Sequence, residues 1–126
     1  MSLGFKPTAF ETAENTDSVD LVRLNPVKLT TAGRGFINLS DTSGETIDGV
    51  MIEEAKQGNS GQYVTEGTVP VICGAAIAIG VYVMSAGSAG KLIAATTTKF
   101  AIGYLRTASA ADGDTALLQI DRKVLP

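Results

Sequence analysis

The sequence predicts an all-β fold, a small β-barrel or β-sandwich of short strands with a flexible N-terminal arm. Three observations support this prediction. Short apolar runs recur along the chain, and clusters of glycine, serine and aspartate separate them. No segment shows a sustained apolar stripe with the 3.6-residue period of a helix. Short strands at a spacing of roughly 8–12 residues with turn signals between them are typical of sandwiches and barrels.

The first part of the chain predicts an arm at residues 1–18, followed by a single β-rich domain at residues 19–126. Phe5, Pro7 and Phe10 are isolated apolar residues, and residues 11–18 are polar and have no periodicity. Such a segment either frays or packs on a partner, and two aromatic side chains favour a contact. A chain of 126 residues has room for one domain.

The following segments are short runs bounded by turn residues, and most of them predict strands. An alternative for one segment is a short helix around Ile47–Lys56. Gly103 lies inside a predicted strand and indicates a bulge or a close backbone approach. The predicted strands are Val19–Leu24, Val27–Thr30, Phe36–Leu39, Gly49–Glu53, Gln62–Thr65, Val69–Cys73, Val81–Met84, Lys91–Ala94, Phe100–Arg106 and Thr115–Asp121.

The most apolar segment, Val69–Met84, has the hydropathy of a membrane span. Its 16 residues fall short of the roughly 20 that a spanning helix needs. Pro70, Gly74 and Gly80 interrupt it, and valine and isoleucine dominate it. The segment therefore predicts two buried strands joined by a link of small residues.

The composition excludes several classes of function. The chain has no histidine, no tryptophan and one cysteine, Cys73, in an apolar setting that predicts a buried thiol. These counts exclude histidine-based nucleophilic catalysis, histidine metal sites, thiolate zinc sites and intrachain disulfides. A net charge of −3 and a pI near 4.8 argue against a general nucleic-acid binder. The first residues lack a secretory signal. We therefore expect a soluble protein without enzymatic activity, cofactor, metal, membrane or small-molecule substrate.

Several short motifs resemble functional sites but lack essential members. Gly58–Gln62 resembles the glycine-flanked serine of a protease, but the chain has no histidine to act as its base. Gly87–Lys91 resembles the end of a phosphate-binding loop without the flanking residues that complete it. Asp112–Asp114 offers too few oxygen ligands for a calcium loop. Glu53 and Glu54 point apart on a strand. We interpret all four as loops, turns or surface residues.

The order of elements from Gly67 to Asp121 resembles the small decoration, or cement, proteins of tailed-bacteriophage capsids. In that family a strand leads through a small-residue link with glycine to a second strand, a Gly-Lys turn, another strand and an alanine-rich turn ending in Gly-Asp. The matching segments in this chain are Gly67–Val71, Gly74–Gly80, Val81–Ser85, Gly90–Ala95, Ala101–Leu105 and Ala108–Asp114.

The resemblance implies a structural virion protein that binds the outside of an expanded phage capsid and stabilises it against internal DNA pressure. It further implies a homotrimer on the outer capsid surface, made in the host cytoplasm, with the major capsid protein as its partner. On this interpretation Phe5, Lys6, Pro7 and Phe10 form a capsid-binding arm.

Two alternatives remain open from the residues. One is a non-catalytic binding module, a carbohydrate-binding or adhesion β-sandwich. Sugar sites usually present exposed aromatic faces, and this chain has no tryptophan and only 6% aromatic residues. The other alternative is an enzyme based on carboxylates, since such chemistry needs no histidine.

Overall fold

A computed structural model describes residues 6–30, 33–40, 42–87 and 90–126, with the backbone alone for residues 6–8 and 33–34. The described residues form strands and loops without a helix, which confirms the predicted all-β class and shows that the alternative helix at 47–56 was wrong. The nine strands are β1 (Lys6–Asn15), β2 (Pro26–Thr30), β3 (Gly33–Leu39), β4 (Gly49–Met51), β5 (Ser60–Ile72), β6 (Tyr82–Ser85), β7 (Leu92–Ala94), β8 (Phe100–Leu105) and β9 (Thr115–Val124).

Five of the strands close into a barrel, which we call the N-terminal barrel. Their order is β1-β3-β2-β4-β5, and β1 also pairs with β5, so the ring returns on itself. The β1–β5 ladder is antiparallel and runs from Lys6↔Thr68 to Glu14↔Ser60. The β1–β3 contact is parallel and much shorter, with two paired positions, Glu14↔Phe36 and Asn15↔Ile37.

The other four strands extend the sheet from β5 in the order β9-β8-β6-β7. An isolated parallel bridge between Cys73 and Leu92 brings β7 back beside the end of β5. The backbone N–H of Gly74 donates to the Leu92 carbonyl at 2.8 Å and supports this return. The C-terminal half of the molecule is therefore a curled sheet that shares β5 with the N-terminal barrel.

The two halves have separate apolar cores because neighbouring residues of β4 and β5 point to opposite faces. Met51 and Tyr63, which pair with each other, belong to the core of the barrel, whereas Val50 and Val64 belong to the larger core. The barrel core is Ala13, Leu21, Val27, Ile37, Met51, Ala55 and Tyr63. The larger core is Ile47, Val50, Val64, Val69, Val71, Cys73, Ile77, Val83, Leu92, Ile102, Leu105, Ala116, Leu118 and Ile120.

Strand β5 is longer than the sequence predicts, because it joins two predicted strands into one. Gly67, which lies between the two predicted strands, has φ near +94°. It lies where the pairing with β1 shifts register, so the glycine allows β5 to bend and continue. Pro70 is tolerated although it has no N–H, because the described pairing of β5 with β1 reaches only to Thr68, and at Pro70 the paired neighbour of β5 is β9.

Strand β1 occupies residues 6–15, inside the predicted arm, and its second half falls in the polar segment without periodicity. Its inward residues are small or polar, since Ala13 and Asn15 are the buried ones. The amide Nδ2 of Asn15 donates to the carbonyls of Val19 and Ala55 at 2.9 and 2.8 Å, which fixes the exit of β1. The division of the chain at residue 18 stays a prediction.

The predicted strand Val19–Leu24 was wrong, since this segment forms only an isolated bridge, Leu21↔Ala55. Its chain turns at Leu24, which has φ near +75°. Asn25 stabilises the turn, because its Oδ1 accepts the backbone N–H of Val22 at 2.9 Å.

The apolar segment 69–84 supplies the end of β5 and most of β6, as the strand interpretation predicts. Across the described residues, no helix has the length and apolar character needed to cross a membrane.

Cys73 is a buried free thiol, as expected. Burial raises the pKa of this thiol, the nearby Asp114 raises it further, and a hydrogen bond with Ser109 acts in the opposite direction. The thiol is therefore poorly reactive at neutral pH.

Candidate interaction surface

The structure brings three of the four predicted arm residues onto one strand. Lys6 and Pro7 begin β1, where their backbones pair with Thr68 and Gly67. Phe10 lies opposite Val64, and 46% of its surface is exposed. Phe5 lies outside the described residues. Phe10 is therefore an aromatic side chain available for a contact, and the role of the four residues stays a prediction.

Beside Phe10, the edge of β1 that faces away from β5 has no paired strand among the described residues. The backbone N–H of Asn15 donates to Asn59 on the β5 side, and that of Thr16 donates to Ile37 on the β3 side. Because successive residues of a strand alternate in direction, the backbone groups of Phe10 and Thr12 point toward the β3 side. In the part of the chain that the structure describes, β3 pairs with β1 only at Glu14 and Asn15.

A cavity of about 430 Å³ lies at the open mouth of the N-terminal barrel, beside this edge. Its lining residues come from β1, β2 and β5 of the barrel and from two neighbouring segments. The Arg122 guanidinium closes one side by donating to the Asp48 carbonyl at 2.6 Å, and an Asp48 carboxylate oxygen accepts the Leu29 backbone N–H at 2.7 Å. The lining residues are Glu11, Leu29, Asp48, Tyr63, Thr65 and Arg122.

Sequence reasoning did not identify the residues of this cavity. They come from β1, β2, the segment before β4, β5 and β9, and they meet only because the barrel closes. The alternation of Val27 and Leu29 on β2 was the available local signal, and it places Leu29 on the same face as a core residue.

A second surface feature is a pair of tyrosines on the C-terminal half. Tyr82 and Tyr104 are paired across β6 and β8, with ring centroids 5.5 Å apart and ring planes tilted by 59°. The Lys123 ammonium lies 4.1 Å from the centre of the Tyr82 ring, and the Tyr82 hydroxyl donates to Asp121 at 2.5 Å. This arrangement does not present the flat, open aromatic face on which a sugar stacks, so it gives no support to the carbohydrate-binding alternative.

The pKa of Tyr82 is raised above its ordinary value of 10.0, first by the hydrogen bond to Asp121, then by desolvation and by the charge of that carboxylate. The folded protein thus holds this proton more tightly than the unfolded chain. The resulting stabilisation is complete below pH 10 and is lost as the pH rises through the folded pKa.

We expect Asp121→Asn to move the tyrosinate absorbance of Tyr82 to lower pH. Asp112→Asn, remote from Tyr82, is the control, and identical titration curves for both variants would contradict the assignment.

The motifs that resembled functional sites have structural partners. Lys91 pairs with Asp112 at 2.7 Å, and a carboxylate oxygen of Asp114 accepts the backbone N–H groups of Ala110 and Ala111, which defines a turn. Glu53 accepts the backbone N–H of Gln62 at 2.9 Å. Within the described ranges, no three histidine, cysteine, aspartate or glutamate side chains lie close enough together to hold a metal ion.

Comparison with known proteins identifies a family and a similar solved structure. A family model described as phage cement protein matches residues 9–120. The crystal structure of the head fiber gp8.5 N base in bacteriophage phi29 has the same fold, with a TM-score of 0.70 and 19% sequence identity, over 94% of this chain and 98% of the other. No curated protein sequence matches this chain.

Proposed function

Because this chain belongs to the phage cement protein family and is therefore a structural protein of the phage capsid, we propose that it binds the outside of an expanded capsid and stabilises it against the pressure of the packaged DNA. Its partner on this proposal is the major capsid protein. The protein is made in the host cytoplasm and joins the virion at its outer surface.

The observation that carries the proposal is the family match, which covers most of the chain. The likeness to the phi29 head fiber base agrees with it at the level of the fold. The structure is compatible with this role, because the closed barrel and the curled sheet each bury an apolar core of their own. A protein of this kind supports others through surface contacts, and about half of its residues lie in paired strands.

Binding on this proposal combines weak contacts from several subunits. Phe5, Lys6, Pro7 and Phe10 form the contact with the capsid, and three copies assemble at each site as a homotrimer. Linked binding modules gain affinity because each later contact is intramolecular. An exposed phenylalanine that becomes buried contributes up to about 2 kcal/mol, so loss of Phe10 weakens each contact by up to roughly thirtyfold, and the effect grows when several subunits bind together.

The experiment mixes purified protein with expanded capsids of its own phage that lack it, and measures the protein that sediments with them. We expect saturable binding, and we expect decorated capsids to release their DNA at a higher temperature than bare ones. Phe10→Ala should remain folded and bind at least tenfold more weakly. Ile79→Ala removes a side chain that is 66% exposed on the other half of the molecule, so it is the matched control.

The outcomes separate the parts of the proposal. Absence of saturable binding by the unchanged protein would refute capsid binding. Unchanged DNA release would refute stabilisation alone. Equal affinity of Phe10→Ala and the unchanged protein would exclude Phe10 from the contact. A native mass other than three chains for the capsid-bound form, measured after cross-linking, would refute the homotrimer.

A further inference from the structure

We propose that the outer edge of β1 at residues 10–13 and the adjoining barrel mouth receive an extended segment of the major capsid protein as an added strand. This inference rests on the proposed function, because it names the contact through which capsid binding occurs. In it, β1 is the acceptor of a strand and keeps its own ladder with β5.

The edge offers main-chain hydrogen bonds in the direction that an added strand requires. The backbone groups of Phe10 and Thr12 point away from β5, by the alternation that the bonds of Asn15 and Thr16 define. The β1–β5 register is regular from Phe10↔Val64 to Glu14↔Ser60, so the alternation holds through this window. An extended peptide binds such an edge by adding a strand.

The opening between β1 and β3 is built into the chain. The β2–β3 pairing passes from Leu29↔Ile37 to Thr30↔Gly33, so β3 carries a large bulge between these rungs. Gly35, inside the bulge, has φ near +91°, a conformation that a glycine adopts at little cost. The bulge begins immediately before Ile37, and among the described residues β3 has no pairing with β1 at Phe10–Ala13, the positions that an added strand would occupy.

The cavity at the mouth supplies a place for a side chain of the added strand. Glu11, Leu29 and Tyr63 line it beside the edge. Its volume of about 430 Å³ lies within the range of roughly 300–1,000 Å³ that holds organic ligands. A strand bound along Phe10–Ala13 would turn alternate side chains toward this space. The partner segment that fits is extended and carries a large apolar residue.

The capsid lattice suits this edge better than a second free copy does. Pro7 and the register shifts between Pro7 and Phe10 protect the start of the edge, as proline and bulges do on natural edge strands. The remaining window of four residues buries far less than the roughly 1,000 Å² of a specific interface, so it cannot by itself hold two free copies together. A lattice presents the segment many times, and several weak contacts then act together.

The test replaces Thr12, an exposed residue whose N–H points outward. Thr12→Pro removes that N–H and leaves the ladder with β5 intact, whereas Thr12→Ala removes the side chain and keeps the N–H. We expect capsid binding of Thr12→Pro to fall at least tenfold and that of Thr12→Ala to change less than twofold. Thermal unfolding of both variants should remain within a few degrees of the unchanged protein.

The results separate this inference from the proposed function. If the unchanged protein saturates capsids and Thr12→Pro does so equally, the added strand is wrong and capsid binding stands. If Thr12→Pro instead dissociates an oligomer of the free protein, the edge joins copies of this chain and the inference is overturned. If Thr12→Pro does not fold, amide hydrogen exchange of the unchanged protein decides. Slower exchange at Phe10 and Thr12 on capsids supports the added strand, and unchanged exchange overturns it.

Discussion

Replacing Gly103 by alanine is expected to destabilise the protein more than any other methyl-sized change on the C-terminal half. A Cβ at Gly103 would lie about 1.9 Å from the carbonyl oxygen of Gln119 and 2.9 Å from the backbone nitrogen of Asp121. Both atoms belong to the backbone of β9, so relief requires the two strands to separate. The close approach occurs where the β8–β9 register shifts, between Ala101↔Lys123 and Gly103↔Ile120.

We expect Gly103→Ala to lower the free energy of unfolding by more than about 3 kcal/mol, at the upper end of the range for overpacking substitutions. A domain is stable by only about 5–15 kcal/mol, so the variant should unfold at a much lower urea concentration or fail to fold. Gly58→Ala is the control, because its Cβ meets no atom within 4 Å. Its positive φ should cost about 1 kcal/mol. Equal urea midpoints for the two variants would show that the β8–β9 approach is looser than described.

Truncation of Ile102 has the second large expected effect. Its side chain is fully buried in the larger core, and removing three carbons there leaves a cavity as well as lost apolar burial. Substitutions of this kind lower the free energy of unfolding by about 2–5 kcal/mol. Ile79→Ala makes the same chemical change at an exposed site and should cost less than about 0.5 kcal/mol.

Urea unfolding followed by circular dichroism measures both isoleucine variants. We expect a clear fall in the midpoint for Ile102→Ala, with little change in the slope, and almost none for Ile79→Ala. A similar fall in the urea midpoint for both variants would mean that Ile79 is buried in the folded protein in solution, for example between subunits. The comparison therefore also reports on the surface of the C-terminal half.

The strands of the C-terminal half are the part of the fold that the sequence predicts best. Predicted β7 and β8 match within one residue at each end. Their apolar runs are local and are bounded by glycine or polar turns. Gly103 was interpreted from its position alone as a bulge or close approach, and the structure confirms both.

The N-terminal barrel shows why the remaining elements were missed. Strand β1 buries Ala13 and Asn15, whose size and polarity give no hydrophobic alternation. The continuity of β5 through Gly67 depends on neighbours that are distant in sequence. The barrel mouth was not predictable for the same reason, since Leu29, Tyr63 and Arg122 meet only after the ring closes. Local patterns identify strands, whereas strand order and the cavity depend on long-range pairing.

Strand β5 also has a mechanical consequence. Its 13 residues span up to about 40 Å in an extended strand, and it belongs to both halves of the molecule. A pull on the barrel is transmitted to the curled sheet through the covalent bonds of one chain segment. A force along the axis of β5 acts in shear on its pairing with β1 and with β9. Many hydrogen bonds then oppose the separation of the strands at the same time. On the proposed function, this shared strand would carry load between the two halves of the molecule.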